Sequence, residues 1–197
     1  MFKEVAETPA PDWSHVGDCA HFVQFYDDEL TLIPLLGRFV GTSLITGDSA
    51  VVVGTASVRD HLARHLLEVG YDVSVAARQR RYFALDSQMT LRRILRAGWP
   101  DAMRFREVVG SVLDQAGACG RRVAAYGDMG AALWAEGKHD AAIRLEELWN
   151  DFAEAHRFTL CCAYPMSGFS DATHAAPFVK ICSQHSHVFS SRRPAGA

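Results

Sequence analysis

Five short β-prone runs, each followed by a stretch long enough for a helix, constrain this chain more than any other feature. They fall at residues 21–26, 50–54, 81–85, 122–126 and 158–164. The run Ala50-Val-Val-Val-Gly54 is apolar throughout, the pattern of a strand covered on both faces. Between the runs, apolar residues return at helical spacing. One stripe is Leu32, Leu36, Phe39 and Val40; a second is Val58, Leu62, Leu66 and Val69. Others are Met89, Leu91, Ile94 and Leu95; Phe105, Val108, Val109, Val112 and Leu113; and Leu145, Leu148, Trp149 and Phe152. Helix starts are marked by Asp27 or Asp28, Thr55 or Ser57, and Asp86 or Ser87, and helix ends by Gly70 and Gly98. A last helix is expected over residues 176–187. Strands alternating with helices require crossover connections, so the spacing predicts an α/β fold: a three-layer, mostly parallel sheet flanked by helices.

At about 150 residues per domain, the 197 residues are expected to form a single domain over 19–190, with loose tails at 1–18 and 191–197. The formal charge of -3 gives no broad attraction to nucleic acid or to an anionic membrane. No apolar run reaches the roughly 18 residues needed to span a bilayer. Residues 1–16 carry Lys3, Glu4, Glu7, Pro9, Pro11 and Asp12 in place of a signal-peptide core, so a cytoplasmic location is expected.

In parallel sheets, ligands bind beyond the carboxyl ends of the strands. That rule nominates Thr55, Ser57, Arg59, Asp86, Gly127, Asp128, Met129, Tyr164 and Pro165. A phosphate-binding loop needs clustered glycines, a lysine and a hydroxyl. The segment Gly54-Thr-Ala-Ser-Val-Arg59 has one glycine and no lysine, which excludes a Walker-type site. The helix amino terminus there still offers free N–H groups, and with Thr55, Ser57 and Arg59 it could hold an anion. The opposing reading makes Ser57 an N-cap and leaves Arg59 on the surface. Asp128 reads equally as a strand-end base or metal ligand and as the cap of a helix beginning near Met129. Glu146 and Glu147 read as a solvated pair at the edge of the Trp149 face.

The five cysteines, Cys19, Cys119, Cys161, Cys162 and Cys182, show no zinc spacing and read as reduced thiols. Cys161 and Cys162 face opposite sides of one strand, as core fillers, with no base evident near either in sequence. The nine histidines do not cluster. His61 and His65 share a helix face that points outward, and His185 and His187 diverge if helical. Neither pair is expected to hold a metal, and no cofactor can be named.

A series of segments resembles the methanogen/methylotroph sensory domain family, MEDS. They are His21-Phe-Val-Gln-Phe-Tyr-Asp-Asp28, Gly47-Asp-Ser-Ala-Val-Val-Val53, Tyr82-Phe-Ala-Leu-Asp86 and Tyr126-Gly-Asp-Met129. Further on come Leu133-Trp-Ala-Glu-Gly137, Leu145-Glu-Glu-Leu-Trp-Asn150, Leu160-Cys-Cys-Ala-Tyr-Pro165 and Ile181-Cys-Ser-Gln-His-Ser-His187. The resemblance implies a core like that of the RecA/KaiC-type ATPases with the phosphate-binding lysine lost. It also implies a role in sensing small organic molecules beside histidine kinases or transcription regulators. The family usually has Gly-Glu-Met where this chain has Gly127-Asp128-Met129. The match leaves no room before residue 197 for an output module, so signalling is expected to pass through a partner chain.

The function expected is therefore a non-catalytic ligand sensor. A small molecule would sit among Thr55, Ser57, Arg59, Asp86, Tyr126, Asp128 and Tyr164, and a histidine kinase, a transcription regulator or a second copy of the chain would read the bound state. The alternatives are a degenerate nucleotide-binding protein or weak NTPase, and an interaction scaffold with its pocket packed shut. A redox or haem role for Cys161, Cys162, His185 and His187 stands furthest off.

Overall fold

A computed structural model describes residues 13, 16, 17, 19–154, 156–169 and 174–191. The tail expected at 1–18 falls almost wholly outside the described residues, as does that at 191–197 beyond Ser191. The elements in chain order are β1 (His21–Tyr26), α1 (Glu29–Ile45), β2 (Ser49–Gly54), α2 (Ala56–Glu68), α3 (Val73–Arg78), β3 (Tyr82–Asp86) and α4 (Ser87–Ile94). A two-residue ribbon follows, β4 (Leu95–Arg96) with β5 (Trp99–Pro100). Then come α5 (Ala102–Phe105), a π-turn over Arg106–Gly110, α6 (Ser111–Ala116), β6 (Val123–Gly127), α7 (Met129–Ala135), α8 (His139–Ala153), β7 (Phe158–Pro165), α9 (Ala175–Ser183) and β8 (His187–Ser191).

Six strands form one sheet in the order β3-β2-β6-β7-β1-β8, and every pairing is parallel. The period of two along each strand sorts side chains into two layers. Ala50, Val52, Tyr126, Cys161 and Ala163 face α1 and α2 with Leu32, Leu36, Val40, Leu62 and Leu66. Val51, Val53, Ala125, Leu160, Cys162 and Tyr164 face the other way, against Ile94, Phe105, Leu133, Leu148, Trp149 and Ile181 of the later helices. The expected three-layer α/β architecture is the one observed. None of the described helices is long and apolar enough to cross a membrane.

One expectation is corrected. The last helix ends at Ser183 rather than His187, and residues 187–191 add a sixth strand parallel to β1, with Phe22 opposite His187 and Tyr26 opposite Ser191. Without it, β1 would present an edge of unpaired N–H and C=O groups. The switch is pinned by Ser186, whose N–H and hydroxyl both donate to the His21 carbonyl at 2.7 and 2.8 Å. Two stripe residues also turn outward: Val69 and Met89 are exposed.

Candidate functional site

Strand order places the carboxyl ends of β2, β3 and β6 side by side, which gathers Thr55, Asp86 and Asp128. Thr55 caps α2, its hydroxyl accepting from the Val58 N–H at 3.3 Å. Asp86 caps α4, accepting from the Met89 N–H at 2.9 Å, and its second oxygen takes the Arg59 guanidinium at 3.0 Å. Arg59 also donates to the Gly54 carbonyl at 3.1 Å. Ser57 is not a cap; its hydroxyl donates to Glu29 at 2.8 Å, and Glu29 contacts His61 as well.

Asp128 makes no side-chain capping bond to α7. Its Oδ2 instead reaches across to the neighbouring strand end and accepts from the Thr55 N–H at 2.9 Å. An anion approaching the amino end of α2 therefore meets a carboxylate already on the first free amide, with Asp86 and Glu29 adding like charge. The carboxyl of Asp128 is pushed up to about 6, chiefly by burial, against the opposing pull of the Thr55 N–H.

Three buried polar atoms without a hydrogen-bond partner belong to this neighbourhood: Asp128 Oδ1, Ser87 Oγ and Tyr126 Oη. The Ser87 hydroxyl favours the charged form of Asp128 but lies outside hydrogen-bond geometry. Tyr126 packs its ring below Gly54, where a Cβ would lie 3.4 Å from the ring edge. Burial, followed by the charge on Asp128, raises its hydroxyl far above the ordinary value. Six of the seven residues expected around the ligand, Thr55, Ser57, Arg59, Asp86, Tyr126 and Asp128, thus share this edge. Tyr164 does not, because it occupies the opposite face of the sheet.

Tyr164 belongs to a second polar group, which the sequence did not reveal. Glu146, expected in solvent, is 1% exposed on α8. Its Oε1 accepts from the Tyr164 hydroxyl. Its Oε2 accepts from Cys162 Sγ at 3.1 Å and lies 3.3 Å from His21 Nε2 and 3.6 Å from His185 Nε2. His21 Nε2 is also 3.3 Å from Cys162 Sγ, and the two imidazole rings lie tilted to each other by 56° with centroids 4.1 Å apart. Burial works to raise the Glu146 carboxyl, but the two histidines hold it well below the usual carboxylate range. Burial, with the Glu146 charge, pushes the Cys162 thiol up.

This group was hidden because its members come from β1, α8, β7 and the turn after α9, so no local spacing records it. The burial of Glu146 has no sequence signal either: α8 packs against α7, α9 and the short strand β5, and a helix covered on several sides buries more than its apolar stripe.

Two grooves, of about 360 and 460 Å³, open at the amino-terminal ends of the strands. The first is lined by residues including Trp13, Arg38, Phe39, Arg122 and Thr159, and the second by residues including Leu113, Arg121 and His156. Neither is lined by Thr55, Asp86 or Asp128.

A fully parallel six-stranded sheet covered by helices on both faces, with a polar carboxyl edge and no Walker-type phosphate loop in its sequence, defines a three-layer α/β domain. Residues 20–177 match the model of the MEDS family, the MEthanogen/methylotroph, DcmR Sensory domain, and the chain belongs to that family of sensory domains. No curated protein matches the chain. Among solved structures it is similar to the KaiC-like protein PH0186 from the hyperthermophilic archaeon Pyrococcus horikoshii OT3, at 12% identity and a TM-score of 0.49. That alignment covers 75% of this chain and 62% of the archaeal one.

Proposed function

We propose that the chain is the input domain of a signalling system, binding a small molecule that carries hydrogen-bond donors at the carboxyl edge of β2, β3 and β6. A partner chain such as a histidine kinase or transcription regulator reads the bound state. In this reading the chain is not an enzyme. Asp128 accepts from the ligand, Ser87 and Tyr126 complete the seat, and Thr55, Ser57, Arg59 and Asp86 hold its rim. Tyr164 is no longer part of it.

The observation that supports this reading is the trio of unpartnered buried atoms, Asp128 Oδ1, Ser87 Oγ and Tyr126 Oη. Buried polar groups are normally satisfied, and an exception calls for an unseen partner. A donor molecule would satisfy Asp128 without displacing the Thr55 amide. A nucleotide fits poorly, since its phosphates would have to evict Asp128 from that amide while Arg59 is held by Asp86. Binding becomes a signal only if the ligand prefers one of two conformations.

The test is thermal denaturation of the full chain with primary amines and polyols as donors, and inorganic phosphate and magnesium ATP as anions. A fitting donor should stabilise the protein by about 2.7 kcal/mol at a hundredfold excess over its Kd. Asp128→Ala should abolish that gain. Stabilisation by phosphate or ATP that survives Asp128→Ala, or none from any donor, would overturn the reading.

A further inference from the structure

We propose that His21, Glu146, Cys162 and His185 form a buried site for one borderline-soft divalent cation of the zinc type. The four donor atoms, His21 Nε2, Glu146 Oε2, Cys162 Sγ and His185 Nε2, lie within 4.8 Å of one another, and all four residues are buried. Three contacts to Glu146 Oε2 span 3.1–3.6 Å, and the His21 nitrogen is 3.3 Å from the Cys162 sulfur. A tetrahedral ion with bonds of about 2.0–2.3 Å places its ligands about 3.3–3.8 Å apart. The observed spacings already approximate those edges.

The surrounding hydrogen bonds aim the donors inward. His185 Nδ1 lies 2.7 Å from the Ile181 carbonyl, which can only accept, so that nitrogen carries the proton. In the neutral ring, Nε2 then carries a lone pair. It is buried without a hydrogen-bond partner, and it points at a carboxylate oxygen that also carries lone pairs. His21 repeats the arrangement. Its Nδ1 lies 2.8 Å from Asn150 Oδ1, and the Asn150 amide is oriented by donating to the Gln184 carbonyl at 3.0 Å. Tyr164 donates to the other oxygen of Glu146. Histidines fixed through their far nitrogen, with a carboxylate fixed by its own partner, are the outer shell that metal ligands require.

The space is kept clear as well. A Cβ on Gly130 of α7 would lie 2.1 Å from the Tyr164 hydroxyl and 2.7 Å from Glu146 Oε1. With two neutral imidazoles, one thiolate and one carboxylate, a divalent ion leaves the buried site uncharged. Binding releases the Cys162 thiol proton to solvent. The mixed sulfur, nitrogen and oxygen set suits zinc or cobalt and suits magnesium or calcium poorly.

The test uses the full chain, unfolded with chelator and refolded with one equivalent of Co²⁺ or Zn²⁺. Co²⁺ should bind one per chain, with strong visible bands of a tetrahedral ion and a near-ultraviolet thiolate charge-transfer band. Cys162→Ser should lose the thiolate band, while Cys161→Ser, on the other face of the strand, should keep it. Asn150→Ala should weaken binding about 10–100-fold. X-ray absorption of the zinc-loaded wild type needs no variant; it should show one sulfur at about 2.3 Å and three nitrogen or oxygen neighbours at about 2.0 Å. No stoichiometric uptake by the refolded wild type, or a bound ion with no sulfur neighbour, would overturn the proposal. Neither result bears on ligand binding at Asp128.

Discussion

Asp128 and Glu146 are both buried carboxylates, 5% and 1% exposed, yet their surroundings drive them in opposite directions. Asp128 receives one backbone N–H, keeps one oxygen unpaired and stands near Asp86 and Glu29, so burial wins and its pKa rises. Glu146 gathers a tyrosyl hydroxyl, a thiol and two imidazoles, and its pKa falls. The contrast shows that burial alone does not set a carboxylate's charge; the supply of donors does. The Glu146 carboxylate is held charged among its neighbours, the state that the proposed cation site requires, whereas Asp128 keeps one oxygen without a partner.

The contrast can be broken at four points. The largest effect is expected from Glu146→Ala, which strands two histidines in the core and should cost about 3–5 kcal/mol in chemical denaturation. Next comes Asp128→Asn. The folded chain holds a proton on Asp128 up to about pH 6, whereas the unfolded chain gives it up near 3.8. Stability from this group is therefore highest below about pH 4 and falls as pH rises to about 6, by about 3 kcal/mol in all. Asp128→Asn should remove that fall and exceed the wild type at pH 7, which denaturation at a series of pH values will measure. Glu146 has the opposite sign: its contribution is full above the ordinary carboxylate value and is lost as pH drops through the folded one.

Gly130→Ala pushes a methyl into the Tyr164–Glu146 bond and should cost about 1–3 kcal/mol. The smallest change is expected from Arg59→Ala. The Arg59–Asp86 pair is roughly a quarter to a third exposed, so its loss should move stability by less than about 1 kcal/mol.

Much of the architecture was legible in the sequence because it rests on local periodicity. The continuous apolar run of β2 was readable from a single segment, and each of three helix starts was narrowed to two candidate caps, of which the structure selects Asp28, Thr55 and Asp86. Parallel strands also put the strand-end residues at one end of the sheet, but the order that sets β3, β2 and β6 side by side, and the face that takes Tyr164 away from them, were not readable. What could not be read depends on the fold as a whole. Cys162 meets His21 because β7 pairs beside β1, with Leu160 opposite His21. Glu146 is buried because its helix is covered on several sides. His185 points inward because the chain leaves α9 early to form β8. Asp128 read equally as a strand-end base or metal ligand and as a helix cap, because its local sequence fits both; the neighbouring strand end supplies the Thr55 amide that it accepts from instead.

The account stands on the carboxyl edge being a carboxylate seat in place of a phosphate cradle. A high-resolution crystal structure of the chain soaked in phosphate tests this most directly. The account predicts Asp128 Oδ2 still on the Thr55 amide and no phosphate at the amino end of α2. Phosphate seated on the Thr55 and Val58 amides, with Asp128 swung aside, would contradict it.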